Sequence, residues 1–475
     1  MKKLFIIISI TLFLSACTKD ITRFNEETKR ASSIPPGPLF SNAVKSMSDG
    51  LASSAIGVNI FRHFVKHWAQ AVIQDEAQYD YISRAVNDAW WTIMYRDVLN
   101  DLKESSRIIT NNNTLNASQK ANQLAMIDIM QVYTYNILIN TFGDIPYTEA
   151  LNDQKLFPVY DDAKTVYADL LKRVAESTNK LNTNALGFTA SEDLIFQGNI
   201  AKWVKFGNSL QIRMAMTIAD VDNNKAKSTF ELVEAAAMNN ASDIAEIKYF
   251  STTPNNNPLY NQLVLANRTD FIAAVDLMDV LNNLSDPRKP GFFGLNNANQ
   301  YVGGIVGTGS DYAKMSKPSN RVAAPDAPNV IMDYAEMEFY RAEAKERGYN
   351  VSGTAELHYN NAIRASITLW GGSNIDAATY LARPEVAYTT AAGNWKKKIG
   401  MQKWIALYNR PFEGWLEMRR LDHPVLSLPV NAISGFPTRL RYPGNEQQLN
   451  GTNYTNAAAK IGGDKTETKL FWDIQ

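Results

Sequence analysis

The sequence contains one cysteine, Cys17, and four histidines among its 475 residues. A single thiol excludes an intramolecular disulfide and a zinc site built from cysteines. Lys and Arg together number 48, as do Asp and Glu, so the formal net charge is zero. This balance argues against nucleic acid as the main partner, because binding to phosphates requires a clustered excess of positive charge.

The first residues have the pattern of a secretory signal that ends at the cysteine. Lys2 and Lys3 precede an apolar run at 4–14, which as a helix is about 16 Å long and too short for a hydrocarbon core of about 30 Å. Residues 14–17, Leu-Ser-Ala-Cys, resemble a bacterial lipobox, in which the chain is cut before the cysteine and Cys17 is acylated. The alternative is a plain signal peptide followed by an incidental cysteine.

Composition predicts three parts of the chain. Residues 1–16 are expected to be the signal peptide, and residues 17–40 a lipidated cysteine with a flexible tether, because this segment is polar and then rich in proline and glycine. Residues 41–475 are expected to form a single domain. No later apolar run reaches 18 residues, so the body is expected to sit on a membrane surface and not within the membrane.

Hydrophobic periodicity predicts a mainly helical domain whose helices pack in tetratricopeptide-like pairs. Helices are predicted at 41–55, 58–74, 83–109, 120–142, 161–181, 199–218, 225–239, 269–282, 329–347, 355–370, 396–408 and 412–421. Loop-rich stretches separate several of them. The segment 424–475 contains four prolines and is predicted to run as extended chain with short strands.

Nine short motifs follow one another in an order that resembles the SusD/RagB family of outer-membrane nutrient-binding lipoproteins. They are FGDIPY at 142–147, KWxKFxNSLxxR at 202–213, NPLY at 257–260, DPR at 286–288, YxG at 301–303, YAExEFxxAEA at 334–344, QKWIAL at 402–407, ExWxExRR at 413–420 and PxRLxYP at 437–443. Together with the lipobox, they cover nearly the whole processed chain.

The resemblance implies a mainly α fold of tetratricopeptide-like helical pairs with loop and small β insertions. It also implies a lipid-anchored protein on the outside of the outer membrane, which lies over a SusC-like TonB-dependent transporter. The implied ligands are glycans or oligosaccharides, or in some members peptides. Neither catalysis nor a cofactor is implied.

In the resembled family, ligand contacts come from a segment after the first helices and from an insertion before the third helical pair, which here are 67–91 and 284–315. Sugars need flat aromatic rings for their C–H faces and amides for their hydroxyls. The predicted ligand-binding residues are Trp68, Gln70, Gln74, Tyr79, Tyr81, Phe292, Phe293, Asn296, Asn297 and Tyr301. Four other tryptophans are predicted to be core residues, namely Trp203, Trp404, Trp415 and Trp472.

Two carboxylates on one helical face offer an alternative, because paired carboxylates hydrolyse glycosidic bonds. Glu336 and Glu343 are seven residues apart on an otherwise apolar helix. Carboxylates in such a place are expected to be ion-paired, and the predicted partners are Lys403, Arg419 and Arg420. An arginine partner lowers the pKa of a carboxyl group, which is the wrong direction for a general acid. A surface glycoside hydrolase therefore remains the second hypothesis.

His63 and His67 are four residues apart, a spacing that can hold zinc on one helical face. No third ligand is evident in the sequence, so no metal site is predicted. The chain also lacks the Gly-x-Ser-x-Gly motif of serine hydrolases. A purely structural surface lipoprotein is the third hypothesis.

Overall fold

The computed structural model describes residues 34–55 and 57–474. The predicted signal peptide, Cys17 and most of the predicted tether lie outside these residues. Within them the helices are α1 Pro36–Ala52, α2 Phe61–Phe64, α3 Val86–Thr92, α4 Asn100–Asn111, α5 Ala117–Phe142, α6 Ala163–Lys180, α7 Ile200–Thr217, α8 Asn223–Val233, α9 Pro258–Tyr260, α10 Val275–Asn283, α11 Lys289–Phe292, α12 Tyr334–Glu346, α13 Ala355–Leu369, α14 Asn374–Leu381, α15 Trp395–Ala406, α16 Pro411–Leu421, α17 Gly444–Leu449 and α18 Gly451–Lys460. A π-helical stretch, Ile93–Leu99, joins α3 to α4.

The prediction of a mainly α fold with paired helices is confirmed. Neighbouring helices pack as α1 with α4, α5 with α6, α7 with α8, α12 with α13 and α15 with α16. Most of the pairs contribute to one hydrophobic cluster, which includes Phe40 near the start of the described chain and Trp472 near its end. Helix α13 packs with parts of α12 and α15 in a second cluster. The four tryptophans predicted to be core residues are all buried. Among the described helices, none is long and apolar enough to cross a membrane.

Four short strands form two small antiparallel sheets, as the expected β insertions. Strand β1 Trp68–Gln70 pairs with β3 Phe271–Ala273, and β2 Ala245–Ile247 pairs with β4 Asn329–Met332. The two strands of the first sheet are about 205 residues apart in sequence, and those of the second are about 85 residues apart. The first sheet joins the first predicted ligand region to β3, and an isolated bridge between Ala274 and Gly304 links the end of β3 to the second predicted region.

Several predictions of secondary structure are wrong. The helices predicted at 269–282 and 329–347 start later, because their first residues contain the strands β3 and β4. The helix predicted at 58–74 is only α2, because Lys66 has a φ of 49° and the chain then enters β1. The predicted extended tail contains α17 and α18, and no strand is assigned in 424–474. All four prolines of the tail precede Gly444, so residues 444–460 meet no proline that would interrupt a helix.

The domain begins earlier than the boundary predicted at residue 41. Helix α1 begins at Pro36, and a proline at the first position of a helix has a favourable φ and loses no hydrogen bond there. The ring of Phe40 stacks on Phe188 with centroids 4.3 Å apart. The prolines that suggested a tether therefore start the first helix.

Candidate functional site

The two predicted ligand regions meet at the hydroxyl of Tyr408. The indole N–H of Trp68 donates to this oxygen at 3.0 Å, and the hydroxyl donates to the carbonyl of Phe292 at 3.0 Å. The rings of Phe292 and Tyr408 also stack with centroids 4.0 Å apart. Residues 67–91 and 284–315 are therefore held together through a residue that lies in neither.

Most of the predicted ligand-binding side chains point into the protein. The buried ones are Trp68, Gln70, Tyr79, Tyr81, Phe292, Phe293 and Asn296. Gln70 donates to the carboxylates of Glu76 and Asp270, at 3.1 and 3.3 Å, and Asn296 donates to the carbonyl of Lys314 at 2.7 Å. These side chains therefore hold the two segments in place, and their contact with a ligand stays a prediction.

Three of the predicted residues reach the surface. Gln74 is half-buried and donates to the carbonyl of Gln70, and Asn297 is exposed. Tyr301 is half-buried, with the ammonium of Lys289 4.8 Å from the ring centroid.

A cavity of about 360 Å³ opens beside this aromatic cluster, and Tyr408 is one of the residues that line it. We call it the Trp370 pocket. It is lined by Arg321, Val322, Ala324, Asp326, Ala327, Pro328, Val330, Asp333, Leu369, Trp370, Ala406, Tyr408, Asn409 and Arg410. Its volume lies in the range of small-molecule sites, and a mostly apolar wall with a few polar groups is typical of them.

The end of helix α13 positions the indole of Trp370. Gly371 follows with a φ of 93°, which ends the helix at low cost because glycine has no Cβ. The indole is half-buried and packs edge-on against Phe292, with centroids 4.8 Å apart. A Cβ on Gly291 would lie 2.5 Å from the carbonyl oxygen of Trp370, so only glycine fits there. A fixed, flat aromatic group of this kind suits a sugar face.

Polar groups surround the apolar wall. The guanidinium of Arg321 is exposed and donates to the carbonyl of Leu369 at 2.7 Å, and Asp326 is also exposed. The loop that carries Asp326 is fixed by Asn257, whose backbone N–H donates to Pro325 and whose side-chain amide donates to Ala327, both at 2.7 Å. The pocket is therefore preorganised by one of the nine motifs.

Two of the residues that line the pocket have unused hydrogen-bonding capacity. Asn409 has a φ of 65°, and its buried Oδ1 accepts no hydrogen bond. The Nε of Arg410 is also buried without a hydrogen-bond partner. Sequence reasoning missed Arg321, Trp370 and Asn409, although the Trp-Gly-Gly sequence at 370–372 signals an aromatic residue at a helix end.

A larger cleft of about 460 Å³ lies between α10 and α15. Its aromatic residue, Tyr359, is 1% exposed and donates to the carbonyl of Val386 at 2.9 Å. The cleft therefore offers no free aromatic face, and the Trp370 pocket is the better candidate for a glycan.

The carboxylates of α12 form ion pairs. Arg213 donates to Glu336 through two hydrogen bonds of 2.7 and 2.8 Å, and Arg410 donates to the same carboxylate. Burial opposes ionisation, but the charges of the two arginines outweigh it and hold the pKa of Glu336 at about 2. Glu336 is therefore ionised at neutral pH and has no proton to give as a general acid.

Glu343 lies in a similar arrangement two turns further along. Arg420 donates to its two oxygens at 2.6 Å each, and Arg347 donates at 2.8 Å. The pKa of Glu343 is lowered because these charges outweigh its burial. Of the three predicted partners, only Arg420 is confirmed as a direct one.

The other two predicted partners have different contacts. Lys403 pairs with Glu417 at 2.8 Å. Arg419 lies over the ring of Trp415 and donates to the backbone carbonyls of Asn140 and Thr438.

Both histidines of the possible metal pair are buried. The Nε2 of His67 lies 3.1 Å from the carbonyl oxygen of Trp404, so this nitrogen is the donor. Burial, together with the charge of Arg62, lowers the pKa of His67 to about 3. In residues 34–55 and 57–474, no group of three His, Cys, Asp or Glu residues is placed to hold a metal ion.

Comparisons with protein families and with solved structures find proteins that are similar to this chain. A model of the SusD-like family, described as starch-binding and associating with the outer membrane, matches residues 28–443. A chitin-binding SusD homologue from Flavobacterium johnsoniae is similar in structure, with 22% sequence identity and a TM-score of 0.77 over 92% of this chain and 99% of that one. A SusD homologue from Bacteroides fragilis has 24% identity and a TM-score of 0.77, over 93% and 99%. No curated protein matches the chain.

Proposed function

The chain belongs to the SusD-like family, and we propose that it is a lipid-anchored outer-membrane protein that binds glycans for import. The Trp370 pocket supplies the ligand site, where the indole stacks on a sugar face while Arg321, Asp326 and Asn409 bond its hydroxyls. The observation that carries this proposal is the half-buried indole in a preorganised pocket whose lining residues include unpaired polar atoms.

Chitin-type or starch-type oligosaccharides are the first ligands to test. The family description names starch, and one similar structure is a chitin-binding protein. The apolar wall around Val322, Ala327 and Leu369 suits the methyl group of an N-acetylated sugar, so we propose the chitin type as the better ligand.

Calorimetric titration of the processed chain with chitohexaose and maltoheptaose tests the proposal. We expect saturable binding without sugar release, and affinity at least about tenfold lower in Trp370→Ala, because stacking and apolar burial together exceed about 1.4 kcal/mol. Trp395→Ala is the matched control, since Trp395 is also half-buried but lies away from the pocket. Equal affinity in both variants would place the site elsewhere, and release of shorter sugars would favour the hydrolase hypothesis.

Anchoring and delivery are the other parts of the proposal. Cys17→Ser removes the acylation site, so the protein should move from the membrane fraction to the soluble fraction. The intact protein should co-purify from membranes with a SusC-like TonB-dependent barrel. Unchanged fractionation of the Cys17→Ser variant would overturn the anchor, and purification without a barrel protein would overturn the delivery role.

A further inference from the structure

A further pocket, of about 320 Å³, lies where the start of α3 meets the C-terminal segment. We call it the amide pocket, because amide side chains dominate its wall. The polar side chains that line it are Asn87, Asp88, Arg441, Asn445, Gln447 and Gln448. It shares no lining residue with the Trp370 pocket.

Asn87, which lines this pocket, has an unpaired acceptor. The residue is 2% exposed, and its Nδ2 donates to the carbonyls of Arg441 and Tyr442 at 3.3 and 3.0 Å. These two bonds fix the orientation of the amide. Its Oδ1 is buried and accepts no hydrogen bond. A buried carbonyl without a donor is unfavourable, so a bound group with an O–H or N–H would gain from reaching it.

The charged groups of the pocket are already engaged. Asp88 accepts the backbone N–H groups of Gly444 and Asn445, both at 3.2 Å. The Nε of Arg441 faces the carboxylate of Asp464 at 3.8 Å. The wall therefore carries one positive and one negative side chain, a balance that does not favour an ion of either sign.

Free amides and one apolar side chain complete the wall. Gln447 and Gln448 are exposed, and within the described part of the chain neither side chain makes a hydrogen bond. Ile82 is 42% exposed at the edge. Between Ile82 and Asn87, Ala85 has a φ of 50°, a strained conformation for a residue with a Cβ. Such strain is typical of sites where the backbone must hold a particular shape.

We propose that the amide pocket is a second carbohydrate subsite, which takes a neutral sugar unit. A sugar hydroxyl both donates and accepts, so one hydroxyl can donate to Oδ1 of Asn87 while others accept from the amides of Gln447 and Gln448. Ile82 contacts the C–H face of the ring. The subsite depends on the proposed function only for the class of ligand, because its position is independent of Trp370.

The test uses the processed chain carrying Trp370→Ala, which removes the indole from the Trp370 pocket and is expected to weaken binding there. Saturation-transfer NMR with chitotriose and maltotriose as probes should still detect binding of at least one of them. Adding Gln447→Ala and Gln448→Ala should weaken this residual binding at least about fivefold, since each neutral hydrogen bond contributes about 1 kcal/mol. Both glutamines are exposed, so the fold should be unaffected. The matched control is Gln154→Ala, an exposed glutamine of another loop.

The outcomes separate the two proposals. Residual binding that survives the Gln447 and Gln448 changes, or no residual binding in the Trp370→Ala chain, overturns the second subsite and leaves the first intact. A crystal soaked with chitotriose that shows only ordered water against Asn87 also overturns it. If the unmodified chain binds no glycan, both proposals fail.

Discussion

The buried carboxylates of the helical interior and the asparagine amides that line the two pockets differ in whether their oxygens have partners. In the interior, the carboxylates of Glu336, Glu343 and Glu417 each have at least one Arg or Lys nitrogen within 3 Å. At the pockets, the buried amide oxygens of Asn87 and Asn409 accept no hydrogen bond. Ion pairs in the core hold the helices together, whereas the unpaired amide oxygens belong to Asn87, at the start of α3, and Asn409, between α15 and α16, and both residues line pockets.

The largest expected effect comes from breaking an interior ion pair. Glu343→Gln keeps the volume of the side chain but leaves Arg420 and Arg347 without their shared anion. We expect a loss of about 3–5 kcal/mol in the free energy of unfolding, measured by chemical denaturation. Glu346→Gln is the control on the same helix, because Glu346 is exposed. Equal stability of the two variants would show that the ion pairs of Glu343 contribute little to the free energy of unfolding.

A second variant tests whether the buried aromatic residues beside Tyr408 contact the ligand. Phe293 is 0% exposed and packs edge-on against Tyr408, so Phe293→Ala should cost about 3–5 kcal/mol of folding stability. The affinity of the molecules that remain folded should stay within about twofold of the original value. A stable Phe293→Ala chain that no longer binds glycan would instead favour direct ligand contact by the predicted residues.

The pH dependence of stability reports on the buried histidines. The folded-state pKa of His67 is about 3, below the 6.5 of an unfolded histidine, and the pKa of His63 is also lowered, mainly by burial. In this pH range the unfolded chain therefore binds protons that the folded chain does not bind. The free energy of unfolding falls as the pH drops from 6.5 towards 3.

Each such group contributes a slope of up to about 1.4 kcal/mol per pH unit. Denaturation midpoints of the original chain and of His67→Gln should therefore converge as the pH falls from 7 to 4. If their difference stays constant, the depressed pKa of His67 is refuted.

The smallest effect is expected at the edge of the Trp370 pocket. Arg321 is exposed and bonds a backbone carbonyl, so Arg321→Ala should leave the melting temperature unchanged. Glycan affinity should fall about threefold, because an exposed hydrogen bond contributes less than a buried one. Calorimetric titration measures this change in affinity. The same titration with an acidic oligosaccharide shows whether the pocket prefers a charged ligand.

Local signals predicted the helices but not the sheets or the pocket. Long helices such as α5 and α7 repeat their apolar residues at helical spacing, and an asparagine caps each N-terminus, Asn116 and Asn199 respectively. The stretch 58–74 has the same apolar content, but pairing with residues 271–273 makes part of it a strand. This pairing is a long-range contact, and no local pattern reports it.

The aromatic residues also show that local sequence does not predict which side chains are buried. Trp68, Phe293 and Trp370 all stand near loops or helix ends, and their type alone does not tell which one faces solvent. Contacts with Tyr408 bury the first two, while the turn at Gly371 leaves the indole of Trp370 half-exposed. Burial depends on which segments meet, and those segments are up to 340 residues apart.

The sequence by itself determined the fold class and the likeness to a family, because helical periodicity and short ordered motifs are local properties of the chain. It also determined that the carboxylates of Glu336 and Glu343 need cationic partners, since a buried charge is unfavourable without one. Only the tertiary structure decided which arginines those partners are and which aromatic face stays open. Both follow from the packing of distant segments, where one loop or strand pairing decides whether a side chain meets protein or water.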